Sequence, residues 1–195
     1  MLPDFTVGLL KDLLKKAQIP GPPTDKTYDS TAVFLLTFCK NSKSYLLAVL
    51  KADNQGYPWR NQVALPGGHI DKGDRNPLDA AYRELKEEVG ILRNQVAYIG
   101  SLGHFQTIAH KDIEVFLGVW NGNEESLKYD PREISKTLNI PIADLIQIHI
   151  SNNFSRRDPD ITELIYPVQE SIIWGVTARI FHFFCELILN NIDSS

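Results

Sequence analysis

Sulfur is scarce in this chain, which holds two cysteines and one methionine in 195 residues. So small a number gives no disulfide framework. Cys39, in a strand-like apolar run, and Cys185, in an apolar helical run, read as buried thiols in a reducing compartment, a single pairing between them staying open. Basic runs are also absent and the formal net charge is −4, which disfavours a broad phosphate-tracking surface and so nucleic acid as a partner. No apolar run is long enough to span a membrane, and no secretory leader is legible. The last four residues, Ile192-Asp193-Ser194-Ser195, form neither a peroxisomal nor a reticulum-retention tail. The expected setting is the cytoplasm.

What is present suits one α/β domain: 43% of residues are hydrophobic and 23% charged, with no repeat and no low-complexity segment. Val7, Leu10, Leu13, Leu14 and Ala17 recur at helical spacing, so the spacing predicts a short helix over 6–18, followed by the breaker Pro20-Gly21-Pro22-Pro23. That helix must cover its apolar stripe on the domain or on a second subunit, which makes a homodimer one expectation. Strands are predicted over 31–38 and 45–50, joined by Lys40-Asn41-Ser42-Lys43, and over 62–65, 96–102 and 113–120. Residues 121–136 read as polar turns, 141–148 as a short helix with Asp144 and Gln147 on its wetter side, and 151–160 as a charged loop. A strand over 161–166 and an apolar helix over 171–189 complete the chain. Strands with interspersed helices favour a mixed sheet between helices.

The chemistry concentrates in Gly67-Gly68-His69-Ile70-Asp71-Lys72-Gly73-Asp74 and in Arg83-Glu84-Leu85-Lys86-Glu87-Glu88-Val89-Gly90-Ile91. This is a glycine-rich turn feeding one amphipathic helix. Pro77 suits its first turn and Gly90 its C-terminal cap. Leu78, Ala81, Tyr82, Leu85 and Val89 share an apolar stripe, while Glu84, Glu87 and Glu88 share another face. Each like-charge pair there costs roughly 1 kcal/mol in water and about 4 kcal/mol at an effective dielectric of about 20. A solvated helix can tolerate this, with Arg83 and Glu87 as a relieving pair worth about 0.3–0.5 kcal/mol. A divalent cation relieves it far better. Oxygen donors unaccompanied by His or Cys point to Mg²⁺ or Mn²⁺ rather than zinc. Gly67 and Gly68 let backbone carbonyls approach such a ligand, so Gly68 joins Glu84, Glu87 and Glu88 as a candidate cage.

Gly68, five residues, Asp74, and then Arg83-Glu84-Leu85-x-Glu87-Glu88-x-Gly90-Ile91 resemble the Nudix box of pyrophosphohydrolases. Two positions depart from it. Asp74 stands where Glu is usual, and eight residues rather than seven separate it from Arg83. Both departures are similar to the variant box of the coenzyme A pyrophosphatase branch. Leu65-Pro66-Gly67-Gly68, Glu114-Val115-Phe116-Leu117-Gly118, Ile140-Pro141 with Leu145, and Ile173-Trp174-Gly175-Val176-Thr177-Ala178 extend the resemblance over roughly 31–187. It implies a Nudix α/β/α sandwich with a mixed sheet. It also implies a division into an N-terminal helix with Pro-rich linker, 1–23, and a Nudix domain, 24–195.

The same resemblance implies hydrolysis of a pyrophosphate linkage with Mg²⁺ or Mn²⁺. Glu87 and Glu88 would be core metal ligands, and Glu84 a further ligand or the base. Arg83 would orient a glutamate, and Asp74 would support the turn or hold an outer-sphere water. The expected partner is a small nucleoside diphosphate derivative. Coenzyme A or an acyl derivative comes first, cut to 3′,5′-ADP and a phosphopantetheine. However, where that branch has an Arg, a His and a Gly before the strand 62–65, this chain has Tyr57, Trp59 and Asn61. ADP-ribose, a nucleoside diphosphate sugar or a dinucleoside polyphosphate would use the same metal centre. A silent Nudix-fold binding module and a diphosphate isomerase are the alternatives from other classes. Tyr57 and Trp59 can stack on a base or simply pack, and Arg156 and Arg157 can grip a phosphate or balance Asp158 and Asp160. Glu114, Glu163, Glu170, His104 and His110 are further candidates, each as readily an ordinary solvated side chain.

Overall fold

The computed structural model describes residues 5–25, 27–55 and 59–192. Strands β1 (Asp29–Lys40) and β2 (Lys43–Lys51) form a hairpin whose two turn residues, Asn41 and Ser42, both take positive φ, the geometry that matches strand twist. β3 (Val63–Ala64) and β4 (Gly67–His69) follow, then α2 (Pro77–Val89), preceded in the chain by α1 (Val7–Lys15). β5 (Val96–Gln106), β6 (Lys111–Trp120), β7 (Ile134–Pro141) and α3 (Ile142–Ser151) come next. The small hairpin β8 (Tyr166–Val168) and β9 (Ser171–Ile173) leads into α4 (Gly175–Ile192).

Among the described residues, seven strands make one mixed sheet, in which β1 pairs parallel with β6 and the other pairings are antiparallel. Alternation sorts the core onto two faces. Phe34, Leu36, Phe38, Phe116 and Trp120 pack under Ala81, Tyr82, Leu85 and Val89 of α2. Leu35, Leu46, Leu117, Leu138 and Ile140 face the other way, toward α1, α3 and α4. The result is the expected α/β/α sandwich.

One topological detail positions everything else. β1 and β2 pair only as far as Leu36 and Leu47, then splay apart. β3 fills the gap on β2, β4 fills it on β1, and Pro66 O between them accepts the Phe34 N–H at 2.9 Å. The glycine turn is thus built into the sheet.

The apolar stripe of α1 is covered by its own chain. Leu10 and Leu13 are buried, Phe5 meets Phe184 of α4 at 6.3 Å between ring centroids, and Leu14 lies over Gly100 of β5. Thr6 caps the helix by accepting the Leu9 N–H, and the helix ends at Lys15, short of the expected 18. No described helix is long and apolar enough to cross a membrane.

Four expectations are corrected. Cys39 is exposed, because it sits at the end of β1 beyond the last buried position, while Cys185 is buried; both are free. The segment expected as turns up to 136 contains the start of β7, whose buried Ile134, Leu138 and Ile140 alternate with polar residues. The expected strand over 161–166 is mostly turn, since Asp160 accepts from Thr162 N–H and O–H at 2.9 and 2.6 Å and folds the chain back. The last helix begins at Gly175 rather than 171. Residues 171–173 pair with β8, and Gly175 at φ 64° turns the chain out of that hairpin.

Candidate active site

A cleft of about 610 Å³ opens where β1 and β2 splay, lined by Gly67, Gly68, Glu84, Glu87 and Glu88 together with Lys51 of β2. Its far walls are Thr107 and Lys111 at the β5–β6 turn, Trp59 before β3, and Val176 and Thr177 at the start of α4.

α2 is placed by its caps. Asn76 Oδ1 accepts the Asp79 N–H at 2.9 Å, Pro77 occupies the first turn, and Gly90 closes the helix at φ 76°. With its apolar stripe on the sheet, positions 84 and 88 face the glycine turn and position 87 lines the cleft beside them. Gly67 stands at φ 146°, where an added Cβ would lie 2.4 Å from Ala32 O, so only glycine fits. At Gly68 a Cβ would lie 2.6 Å from the Glu84 carboxyl carbon. The Glu84 carboxylate therefore rests directly on backbone.

The three glutamates grade from buried to open, with side-chain exposures of 7% for Glu88, 22% for Glu84 and 59% for Glu87. Glu88 accepts the Gly67 N–H at 2.9 Å and pairs with Lys51 through its other oxygen. Burial pulls the Lys51 ammonium's pKa down, opposed by Glu133 and Glu84. Arg83 ties the turn to the helix. Its Nε and Nη2 fork onto Asp74 at 3.1 and 2.9 Å, Nη2 also donates to His69 O at 2.9 Å, and Nη1 reaches Glu84 and Glu87 at 2.8 and 3.0 Å. The Asp74 contact, with Glu84 and Glu87 behind it, raises the guanidinium's pKa above its ordinary value. In return Arg83, then the Asp71 N–H, holds the Asp74 carboxyl below the usual carboxylate range.

Two cations thus face three carboxylates. The donor set is oxygen alone, and glycine backbone lies against it without an intervening side chain. This fits a hard divalent cation, which Glu84, Glu87, Glu88 and the Gly68 carbonyl could hold.

Other sequence-predicted residues fall unevenly. Trp59 lines the cleft, and Tyr57 lies outside the described residues. Arg156 and Arg157 are not among the lining residues: Arg157 pairs with Glu163 at 3.5 Å, and the Arg156 N–H donates to Glu186. Glu114 accepts from Ser101 O–H at 3.4 Å, and Glu170 lies 3.6 Å from Lys136. His104 meets Asp112 at 2.8 Å, and His110 packs on Tyr28. Sequence reasoning missed Lys51, Lys111, His69, Asp130 and Glu133, all of which line the cleft. Lys111 Nζ and His69 Nε2, at 2.9 Å, form a polar pair on its rim. His69 lies within the box itself, but only the fold brings Lys51, Lys111, Asp130 and Glu133 to it, so no local spacing could reveal those four.

A family model described as a NUDIX domain matches residues 29–159. A protein named "Uncharacterized Nudix hydrolase NudL" from Photorhabdus laumondii is 28% identical over 179 residues, 89% of this chain and 94% of that relative. A protein of the same name from Pectobacterium atrosepticum is 24% identical over 184 residues, 91% of this chain and 93% of that relative. Among solved structures, a MutT/nudix family protein from Enterococcus faecalis aligns with a TM-score of 0.53 at 14% identity, covering 97% of this chain and 75% of that one. At that identity the structural likeness concerns the fold.

Proposed function

Because this chain belongs to the Nudix family and is a Nudix pyrophosphohydrolase, we propose that it cleaves the internal pyrophosphate of a nucleoside diphosphate derivative, coenzyme A or an acyl derivative first. The observation that carries this is the splayed cleft, whose lining brings Glu84, Glu87 and Glu88 to the glycine turn, with Glu84 against Gly68 and Glu88 on the Gly67 N–H.

Bound Mg²⁺ or Mn²⁺, held by Glu84, Glu87, Glu88 and the Gly68 carbonyl, would screen phosphoryl charge and acidify an attacking water. The chain's own residues do the rest. Arg83 keeps Glu84 and Glu87 oriented by holding both from one guanidinium. Asp74 holds Arg83, so this residue positions rather than contacts substrate. Glu84, less exposed than Glu87 and set on Gly68, serves as a further ligand or takes the proton of the attacking water. Lys51 pairs with Glu88 within the buried wall and so fixes its carboxylate in place. Lys111 and His69 supply hydrogen-bond donors for the far phosphate, and Trp59 offers a face for the base. Arg156 and Arg157 join in only for a substrate long enough to leave the cleft.

ADP-ribose is the second reading, favoured by Tyr57, Trp59 and Asn61 standing where the coenzyme A branch has an Arg, a His and a Gly. The test is kcat/KM for coenzyme A, its 3′-dephosphorylated form and ADP-ribose, with products identified by mass. Preference for coenzyme A supports the first reading. A tenfold or greater preference for ADP-ribose overturns it and leaves the hydrolase standing.

A further inference from the structure

A second cavity, of about 500 Å³, lies between β5 and α4 and shares no lining residue with the active-site cleft. His104, His182 and Glu186 line it, beside Asp158 and Arg179. Behind its wall sits His149 of α3, fully buried, its ring centroid 5.0 Å from that of His182. Among the described residues, His149, His182 and Glu186 are the trio whose ligating atoms all lie within 4.8 Å of one another. The active-site glutamates do not meet that condition.

We propose that His149, His182 and Glu186 form a metal site for zinc or a similar first-row transition ion, separate from the glutamate cage and reached through the second cavity. Two imidazoles and one carboxylate are a donor set suited to zinc rather than to Mg²⁺. His182 and Glu186 stand four residues apart on α4, the spacing that puts two ligands on one helical face, and α3 supplies the third from across the contact. A tetrahedral zinc with bonds of about 2.0–2.2 Å sets neighbouring ligands about 3.3 Å apart. His149 Nε2 and Glu186 Oε1, now 2.8 Å apart, need only a small separation to admit it.

The surroundings hold each ligand in place. Tyr166 Oη lies 2.8 Å from His149 Nδ1, and the Arg156 N–H donates to both Glu186 oxygens at 3.1 and 3.0 Å. Phe154 O lies 3.3 Å from His182 Nε2. On binding, the His149 proton moves to Nδ1 and is donated to Tyr166 Oη, so the ring stays neutral and no proton is lost. Three protein ligands leave one position open toward the cavity, where a water completes the ion's shell. An ion here would fasten α3 to α4.

The test uses the full, tag-free chain, stripped with chelator and titrated with ZnCl₂ and CoCl₂. We expect about one zinc per chain that excess Mg²⁺ does not displace, and for Co²⁺ the intense visible absorption of a four-coordinate site. His182→Ala and Glu186→Gln should each weaken zinc by at least roughly 100-fold, and Tyr166→Phe by about 10-fold, as an outer-shell partner does. Glu87→Gln, which disables the other cage, should leave zinc affinity unchanged. Far-ultraviolet circular dichroism verifies that each variant is folded. Absence of stoichiometric zinc in the wild type overturns the proposal, as does equal zinc affinity in folded His182→Ala and Glu186→Gln.

Discussion

Glu87 and Glu88 are neighbours in sequence but differ in what removing a charge does. Glu87 is open to solvent and, among the described residues, held only by Arg83. Glu87→Gln should lower turnover by orders of magnitude while shifting the melting temperature by no more than about 2 °C, the usual range for a surface change. Glu88 is buried against Lys51, so Glu88→Gln strands an ammonium. Losing one partner of a buried pair costs roughly 3–5 kcal/mol; Gln keeps an acceptor, so a loss near the lower end, about 6–12 °C, is expected. Equal melting temperatures for the two variants by calorimetry would contradict the buried pairing. Asp74 adds a pH signature. Its folded carboxyl titrates below its unfolded value of 3.8, so its contribution is present above about pH 4 and is lost as pH falls through the folded value. Asp74→Asn should therefore melt lower than wild type at pH 6, and the gap should narrow toward pH 3.

At the scale of elements, the sequence resolved what local periodicity controls and missed what pairing controls. α2 was legible from Pro77 to Gly90 because stripe, caps and acidic face all agree over 13 residues. β7 was not: a single strand edge with three buried residues between Asp130 and Pro141 carries too weak an alternation beside its charged neighbours. β8 and β9 are three residues each and exist because they pair with one another, so a propensity reading absorbed β9 into the helix that follows. α1 was legible as amphipathic, but the sequence left open what covers it. The structure seats it on β5 and α4, so a chain beginning at Thr24 loses Phe5, Leu10 and Leu13 from the core. Each such side chain stabilises by about 1.5–3 kcal/mol. Thermal unfolding should fall by more than roughly 5 °C in the shortened chain. An unchanged melting temperature would contradict this docking.

At the scale of the whole molecule, the sheet is a device for bringing distant residues to one box. The glutamates and glycines were readable because they lie within about two dozen residues of one another. Lys51, Lys111 and Glu133 were not, because β2, β6 and the β7 approach meet at the cleft only after the sheet splays. Arg156 and Arg157, attractive by composition, lie outside the cleft: the Arg156 N–H is on Glu186 of α4, and the Arg157 guanidinium is on Asn153 O and Glu163. The central proposal is that pyrophosphate cleavage needs a divalent cation held by Glu84, Glu87, Glu88 and Gly68. It is tested most directly by following hydrolysis of a pyrophosphate panel, coenzyme A and ADP-ribose included, in chelator and after addition of excess Mg²⁺ or Mn²⁺. No turnover is expected in chelator, with full recovery once the metal is added, in wild type but not in Glu87→Gln. Undiminished hydrolysis in chelator would contradict it.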